Sequence, residues 1–288
     1  PDGTRSWSNP CRHGGIGFGH TRLSIVDIAG ADQPLYSDNG CVLIVNGEIY
    51  NHKEIRKTAH QYPWRTKGDG EAILAAYASR ANSIDWLNQI DGIWGFSLCD
   101  TSTEQLILSR DPLGVKPLVR TITSDGTLLF ASETKALRAH PDYSPQLDEE
   151  ALVARLAFEY PLDDTTLLQD VHQVRPGTVE VWALDEHGAQ LQSVTHYSRD
   201  VIAPSNHWDA SKAPALLESL TRSLADRLMS DVPLGIVLSG GLDSAMVAAL
   251  AHEAAERTGY PVPACWTVAE SEDNPDWIAA AEVCHTLD

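Results

Sequence analysis

Positive charge is scarce in this 288-residue chain. Lysine and arginine together number 21 against 40 aspartates and glutamates, which gives a formal net charge of −19. Such a chain has no basic stripe to neutralise phosphates, so a role in non-specific nucleic-acid binding is excluded. The acid-rich, lysine-poor balance is typical of proteins that stay dissolved in concentrated salt and suggests a halophilic source, with ordinary cytosolic acidity as the alternative.

Cysteines and long hydrophobic runs are also few. The five cysteines are scattered without C-x-x-C spacing, which favours reduced thiols over disulfides or zinc ligands. No apolar run is long enough to cross a bilayer, and the first ten residues resemble no signal peptide. We therefore expect a cytoplasmic location and no membrane partner, in a chain with room for two domains.

The first two thirds of the chain alternate short apolar runs with turn signals and predict a layered α/β half. Predicted strands cover residues 15–27, 42–50, 94–100, 106–111, 128–132 and 178–184, and predicted helices cover 71–80, 132–140 and 149–158. A polar stretch at 199–211 is predicted to be a linker. The domains are thus expected at 1–198 and 212–288.

Beyond the linker the pattern changes to that of an open parallel sheet. Leucines at 216, 220, 224 and 228 form one apolar helix face, and strands are predicted from Leu234 and near residues 264–268. The run from Leu234 to Leu250, LGIVLSGGLDSAMVAAL, reads as a buried strand, a glycine loop and a helix. Glycines at such a junction let a phosphate approach the backbone amides at the positive end of the helix.

The loop has a simpler interpretation as well. Glycine, serine and aspartate often form turns, and Asp243 alone would serve as a helix cap instead of a Mg²⁺ ligand. The complete strand–loop–helix context favours nucleotide binding. The common P-loop is excluded, because no Lys-Ser or Lys-Thr pair follows a second glycine. Ser-Gly-Gly-x-Asp-Ser after a strand resembles the pyrophosphate loop of ATP pyrophosphatases.

Two segments of the first half combine apolar strand-like runs with polar residues that a buried strand would not contain. Arg22 stands alone in the predicted strand RLSIV, where a surface ion pair is the simpler interpretation. Asn46 and Gly47 follow the apolar run 41–45, and such a pair is most often a hairpin turn. Neither segment decides a function by itself.

In combination, the motifs resemble the glutamine-dependent asparagine synthetase family across almost the whole chain. They occur in one order: HTRLSIVD, QPL, VNGEIYN, DGEAIL, LSRDPLGVKPL, LFASETKAL, VRPGT and SDVPLGIVLSGGLDS. The resemblance implies an N-terminal-nucleophile αββα sandwich, followed by the start of an open parallel nucleotide-binding sheet. It also implies glutamine, aspartate and ATP as small-molecule substrates and Mg²⁺ as cofactor. A homodimer is compatible with it.

Residue roles in the first half follow from the resemblance. Arg22 is implied to bind the α-carboxylate of glutamine, for which a planar guanidinium suits a bidentate pair. Asp69 is implied to bind the α-ammonium. The Asn46 amide and the Gly47 N–H are implied to form the oxyanion hole, whose loss slows acyl transfer by roughly 10²–10³. The same pocket is implied to be lined by Leu23, Ser24, Ile25, Val26 and Glu48.

In the second half the backbone at Leu238 and Val268 is implied to contact adenine. The pyrophosphate loop is implied to consist of Ser239, Gly240, Gly241, Asp243 and Ser244, with Asp243 as a Mg²⁺ ligand.

The family's nucleophile is an N-terminal cysteine whose α-amino group acts as the general base. This chain begins at Pro1, and Cys11 is internal, so the chain resembles a fragment without both ends and without glutaminase activity. A related β-lactam synthetase or peptide cyclase is one alternative, although the retention of Arg22, Asn46, Gly47 and Asp69 disfavours it. An inactive remnant that binds neither substrate is the other.

Overall fold

A computed structural model describes residues 2–80, 84–197 and 209–287. The chain divides into two compact units, Pro1–Ser24 with Ala29–Asp200 and Ile25–Ile28 with Val201–Asp288. Most of the predicted linker, 199–211, lies outside the described residues, and the domain boundaries 1–198 and 212–288 stay predictions. No helix in the described residues is both long and apolar enough to cross a membrane.

The centre of the first unit is a six-stranded antiparallel sheet with helices on one face. Its strands are β3 (Leu35–Tyr36), β4 (Cys41–Ile49), β5 (Gly92–Asp100), β6 (Gln105–Arg110), β10 (Thr178–Asp185) and β11 (Gly188–His196), in the order β11-β10-β6-β5-β4-β3. The helices beside it are α1 (His52–Thr58), α2 (Glu71–Ala78) and a 3₁₀ helix at Ile84–Gln89. Alternating residues of β4 explain the packing: Leu43, Val45 and Ile49 join the helices in one core.

The opposite face packs on a second β layer. This layer contains the hairpin of β1 (Gly3–Cys11) and β2 (Gly14–Arg22) and the sheet of β7 (Val119–Ile122), β8 (Leu128–Ala131) and β9 (His172–Gln173). Val42 and Ile44 of β4 join Phe18, Leu118 and Phe130 in the core between the layers.

A smaller core joins α3 (Thr134–Leu137) to β7 and β8, and α4 (Glu149–Phe158) follows it in the chain. The order of layers is therefore helix, sheet, sheet, helix, so the predicted αββα sandwich is confirmed.

Several predicted boundaries of the first unit change. The predicted strand 15–27 was too long: β2 ends at Arg22, because its partner β1 begins opposite it at Gly3. The helix predicted at 132–140 shortens to α3. The strand predicted at 42–50 is confirmed as β4, which continues through Asn46 and Gly47 to Ile49, paired with β5, so the local alternative of a hairpin turn at these two residues does not form.

The second unit begins an open parallel α/β sheet, as predicted. A 3₁₀ turn (Ala210–Lys212) leads into α5 (Ala213–Arg227), and β12 (Gly235–Val237), α6 (Leu242–Thr258), β13 (Ala264–Trp266) and α7 (Pro275–Leu287) follow. β12 and β13 pair in parallel.

The prediction that the strand from Leu234 is buried was wrong. Val237 is 78% exposed, whereas its neighbours Ile236 and Leu238 pack against α6 and α7. Successive strand residues face opposite sides, and in the described residues helices cover one side of this two-stranded sheet.

Candidate functional site

The candidate site of the first unit begins on β4. Gly47 faces Trp94 of β5, and a Cβ at Gly47 would lie 2.1 Å from the carbonyl oxygen of Ile93 and 2.7 Å from the Trp94 Cα. Only glycine fits such a close backbone approach. The residue type at 47 is therefore required by packing, whatever its N–H binds.

Asn46 and Glu48 flank this glycine and share the other face of β4. Asn46 lies opposite Gly95, where a Cβ would come within 2.9 Å of the Pro117 carbonyl oxygen. The 111–117 loop therefore passes over this face of the paired strands β4 and β5. Its Lys116 is also close enough for its positive charge to act on Glu48.

Burial, and then the negative charge of Asp69, raise the pKa of Glu48 to about 7, against the opposing effect of Lys116. The two carboxyl groups are thus close enough to influence each other. Like charges in one cleft disfavour double ionisation, so a cationic ligand would be stabilised between them.

Asp69 is held by the backbone of β4. Its Oδ2 accepts a hydrogen bond from the Ile49 N–H at 2.7 Å, and the side chain is almost fully buried. Burial raises the pKa of Asp69, whereas the backbone N–H groups of Ile49, Asp69 and Gly70, and then the charge of Arg22, lower it. Arg22 therefore lies within electrostatic reach of Asp69.

Arg22 is the last residue of β2 and is buried. Its Nη1 lies 3.4 Å from Oδ1 of Asp32. Arg22 therefore does form an ion pair, but not a surface one, since its own side chain is only 8% exposed. The structure brings Arg22, Asp69 and Glu48 into one charged cluster, with Asn46 and Gly47 on the adjoining stretch of β4.

The residues after Arg22 are not a strand. The Ser24 N–H donates to Oδ2 of Asp2 at 2.7 Å, and Leu23 is exposed. Ile25 and Val26 group with the second unit, where the Ile25 carbonyl accepts from the Asp231 N–H at 2.9 Å. Leu23, Ser24, Ile25 and Val26 therefore stay predicted pocket residues.

Sequence reasoning missed three side chains that shape this site. Gln33 donates to the Val45 carbonyl at 2.9 Å and accepts from the Val45 N–H at 2.7 Å, which fixes β4 next to Asn46. Arg110 donates to the carbonyls of Lys116 and Gly114, each at 2.7 Å. The third side chain is that of Asp111. The motif QPL contains Gln33, and LSRDPLGVKPL contains Arg110 and Asp111, but both motifs indicated only the family resemblance.

Asp111 fixes the same loop from inside. Its buried carboxylate accepts hydrogen bonds from four backbone N–H groups at 2.9–3.2 Å, those of Trp94, Leu113, Val115 and Lys116. Arg110 and Asp111 thus have a structural role: they hold the loop that carries Lys116 over Glu48.

His20 adds a polar group beside the cluster. Burial lowers the pKa of its imidazole, a hydrogen bond with the Val45 backbone raises it, and the nearby charge of Arg22 lowers it. Its Nδ1 is buried and finds no hydrogen-bond partner in the described part of the chain.

The second candidate site is the loop between β12 and α6. Gly240 adopts a φ of +73°, and a Cβ there would lie 2.4 Å from the Ala279 Cβ, so both conformation and space require glycine. Ser239 and Ser244 bond each other through hydroxyls 3.1 Å apart, and the Ser244 hydroxyl donates to the Gly241 carbonyl. Gly241 is the N-cap of α6, whose first amides point out of the helix end.

The remaining predicted nucleotide residues are near this loop or exposed. Leu238 is buried, and its N–H donates to the Trp266 carbonyl at 2.7 Å. Val268 is 92% exposed, and Asp243 lies in the first turn of α6. The described residues contain no group of three or more His, Cys, Asp or Glu side chains that could hold a metal. A metal at Asp243 would thus need phosphate oxygens as further ligands, the usual arrangement for Mg²⁺.

Comparison with known proteins matches both halves of the chain. A family model described as a glutamine amidotransferase domain matches residues 1–195, and one described as asparagine synthase matches residues 215–288. A putative glutamine-hydrolysing asparagine synthetase of Mycobacterium bovis is 34% identical over 87% of this chain and 40% of its own length. The asparagine synthetase of Asparagus officinalis is 32% identical over 98% of this chain and 42% of its own.

The chain therefore spans about two fifths of the length of these curated relatives. Among solved structures, a glutamine phosphoribosylpyrophosphate amidotransferase from B. subtilis is 18% identical over 88% of this chain and 51% of its own, with a TM-score of 0.44.

Proposed function

The chain belongs to the glutamine-hydrolysing asparagine synthetase family, and on that premise we propose that its first unit binds glutamine and its second binds ATP. The whole protein would convert aspartate to asparagine, with ammonia released from glutamine as the nitrogen source. The observation that carries the proposal is the charged cluster of Arg22, Asp69 and Glu48 beside Asn46 and Gly47.

Glutamine is a zwitterion, and the cluster offers a complement to each end. The guanidinium of Arg22 would bind the α-carboxylate through two parallel hydrogen bonds. The carboxylate of Asp69 would bind the α-ammonium, with Glu48 beside it. Because the cluster is largely buried, these charge–charge contacts are stronger than they would be in water.

The side-chain amide would then extend towards Asn46 and Gly47. Their N–H groups would stabilise the negative oxygen that forms when the carbonyl is attacked. Within the first unit, Leu23 and Ser24 would line the same pocket. Cys11 is excluded as the nucleophile with its own α-amine, because it ends β1 and its nitrogen is part of a peptide bond.

In the second unit the β- and γ-phosphates of ATP would bind the loop from Ser239 to Ser244. The amides at the start of α6 and the two serine hydroxyls are the donors, and Leu238 and Val268 would contact adenine. Bound Mg²⁺ would neutralise phosphate charge, held by Asp243 together with phosphate oxygens. The aspartate β-carboxylate would attack the α-phosphate of ATP and release pyrophosphate, and ammonia would then displace AMP from the acyl adenylate to form the amide. The five free cysteines support a reducing, cytoplasmic setting.

Calorimetric titration of the purified chain with glutamine, and separately with ATP and Mg²⁺, tests the proposal. We expect saturable binding of each ligand. Arg22→Ala should remove the glutamine signal, because the α-carboxylate loses its partner. A chain that binds neither ligand would be a remnant, and one that binds ATP alone would favour a relative with a different first unit.

A further inference from the structure

Asp32 lies between two arginines of the β1–β2 hairpin. Its Oδ2 is 2.5 Å from Nη2 of Arg5, and its Oδ1 is 3.4 Å from Nη1 of Arg22. The sequence motifs predict a binding role for Arg22 but none for Asp32 or Arg5.

The register of the hairpin explains this arrangement. Gly3 pairs with Arg22 and Arg5 pairs with His20, so both arginines lie on the same face of the hairpin. Gly3 has no side chain, and a Cβ there would lie 3.9 Å from Oδ1 of Asp32. Asp32 therefore approaches Arg22 across the space above Gly3.

The three charged groups differ in burial. The Arg22 side chain is 8% exposed, whereas Asp32 and Arg5 are 40% and 64% exposed. A buried guanidinium needs an anionic partner, because an uncompensated charge out of water is costly. Asp32 supplies that charge from the solvent side, and Arg5 holds its second oxygen.

The backbone next to Asp32 is also fixed. Gln33 makes two hydrogen bonds to Val45, the residue before Asn46 on β4. The partner of Arg22 is therefore tied to the strand that carries Asn46, Gly47 and Glu48. Because its backbone is fixed, Asp32 can hold the Arg22 guanidinium in one direction, whereas an acidic side chain on mobile backbone could not.

We propose that Asp32 is a positioning residue that orients the Arg22 guanidinium to receive the α-carboxylate of a zwitterionic amino acid. This inference rests on the proposed glutamine site. The close Arg5 contact draws Asp32 towards the hairpin surface, so its contact with Arg22 stays long.

The test compares two ligands by calorimetry: glutamine, and glutamine α-amide, in which a neutral amide replaces the α-carboxylate. Asp32→Asn should weaken glutamine binding about tenfold and leave the affinity for the α-amide unchanged. The matched control is Asp163→Asn, which alters an exposed aspartate paired with Arg175 at 2.8 Å. It should change neither affinity.

An equal loss for both ligands would mean that Asp32 only stabilises the fold, and an unchanged glutamine affinity would mean that Arg22 is oriented without it. Either result overturns the inference. A second readout needs no ligand: the NMR order parameter of the Arg22 Nε–H should fall in Asp32→Asn and not in Asp163→Asn. If the wild-type chain fails to bind glutamine, the proposed function fails, and this order parameter alone decides whether Asp32 positions Arg22.

Discussion

At the scale of single residues, the first unit depends on groups whose type is required by what they contact. Gly47 is a glycine because β5 leaves no room for a side chain, and Asp69 is an acceptor because the Ile49 N–H points at it. These structural requirements coincide with the positions that the resemblance assigns to glutamine binding. Stability and ligand binding therefore need separate measurements at each residue.

Gly47→Ala should destabilise the first unit by about 3 kcal/mol, because the new methyl group would overlap the Ile93 carbonyl and force β4 and β5 apart. Urea denaturation measures the change. Gly19→Ala in β2 is the matched control, since nothing lies within 4 Å of its Cβ position. Equal stability of both variants would show that β4 and β5 do not approach each other closely at Gly47.

Glu48 should make stability depend on pH. Its pKa is about 7 when folded against an ordinary 4.5, so the folded chain binds more protons between these values. The free energy of unfolding therefore falls as pH rises from 4.5 to 7, and the full loss persists above pH 7.

Glu48→Gln removes this ionisable group. The variant should be more stable than wild type at pH 8 and equally stable at pH 4, measured by denaturant unfolding at each pH. Glu133→Gln, at an exposed carboxylate, should show no such trend. A Glu48→Gln effect that is the same at both pH values would disprove the raised pKa.

At the scale of elements, periodicity predicted most of the regular structure but not its pairing. Helix α4 matches the predicted residues 149–158, because Asp148 caps it through the Ala151 N–H. β1 was missed, since its polar sequence GTRSWSNPC lacks an apolar alternation and is a strand only through pairing with β2. The strand predicted at 42–50 did form, and pairing with β5 overrode the local turn preference of Asn46 and Gly47.

The same limit applies to the candidate sites. Motifs marked Arg22, Asn46, Gly47 and Asp69 in advance, and QPL contained Gln33 without indicating its role, whereas Asp32 could be found only from coordinates. The contacts of Asp32 and Gln33 with remote parts of the chain depend on the fold and are not visible in a local pattern.

The conformation of the 111–117 loop should depend on the carboxylate of Asp111. Asp111→Asn replaces an acceptor oxygen by an NH₂ group that faces a backbone donor, and we expect a loss of about 3 kcal/mol. Thermal unfolding followed by circular dichroism tests this. Asp125→Asn, in an exposed turn where the carboxylate accepts from the Thr127 N–H, should cost far less. Similar losses in both would mean that Asp111 is not the anchor.

At the scale of the whole molecule, the account assigns one ligand to each of two compact units. Arg22→Ala should abolish glutamine binding and leave ATP affinity unchanged. Gly240→Ala should weaken ATP binding at least tenfold and leave glutamine affinity unchanged, because a Cβ would clash with Ala279 and disfavour the positive φ of residue 240 in the loop from Ser239 to Ser244. Titration of both variants with both ligands measures this. Loss of both ligands in either folded variant would contradict separate sites.

A crystal structure of the chain grown with glutamine tests the central claim most directly. The account predicts the α-carboxylate paired with the Arg22 guanidinium, the α-ammonium at Asp69, and the side-chain carbonyl directed at Asn46 and Gly47. Glutamine bound away from Arg22 and Asp69, or a cluster that stays empty at saturating glutamine, would contradict it.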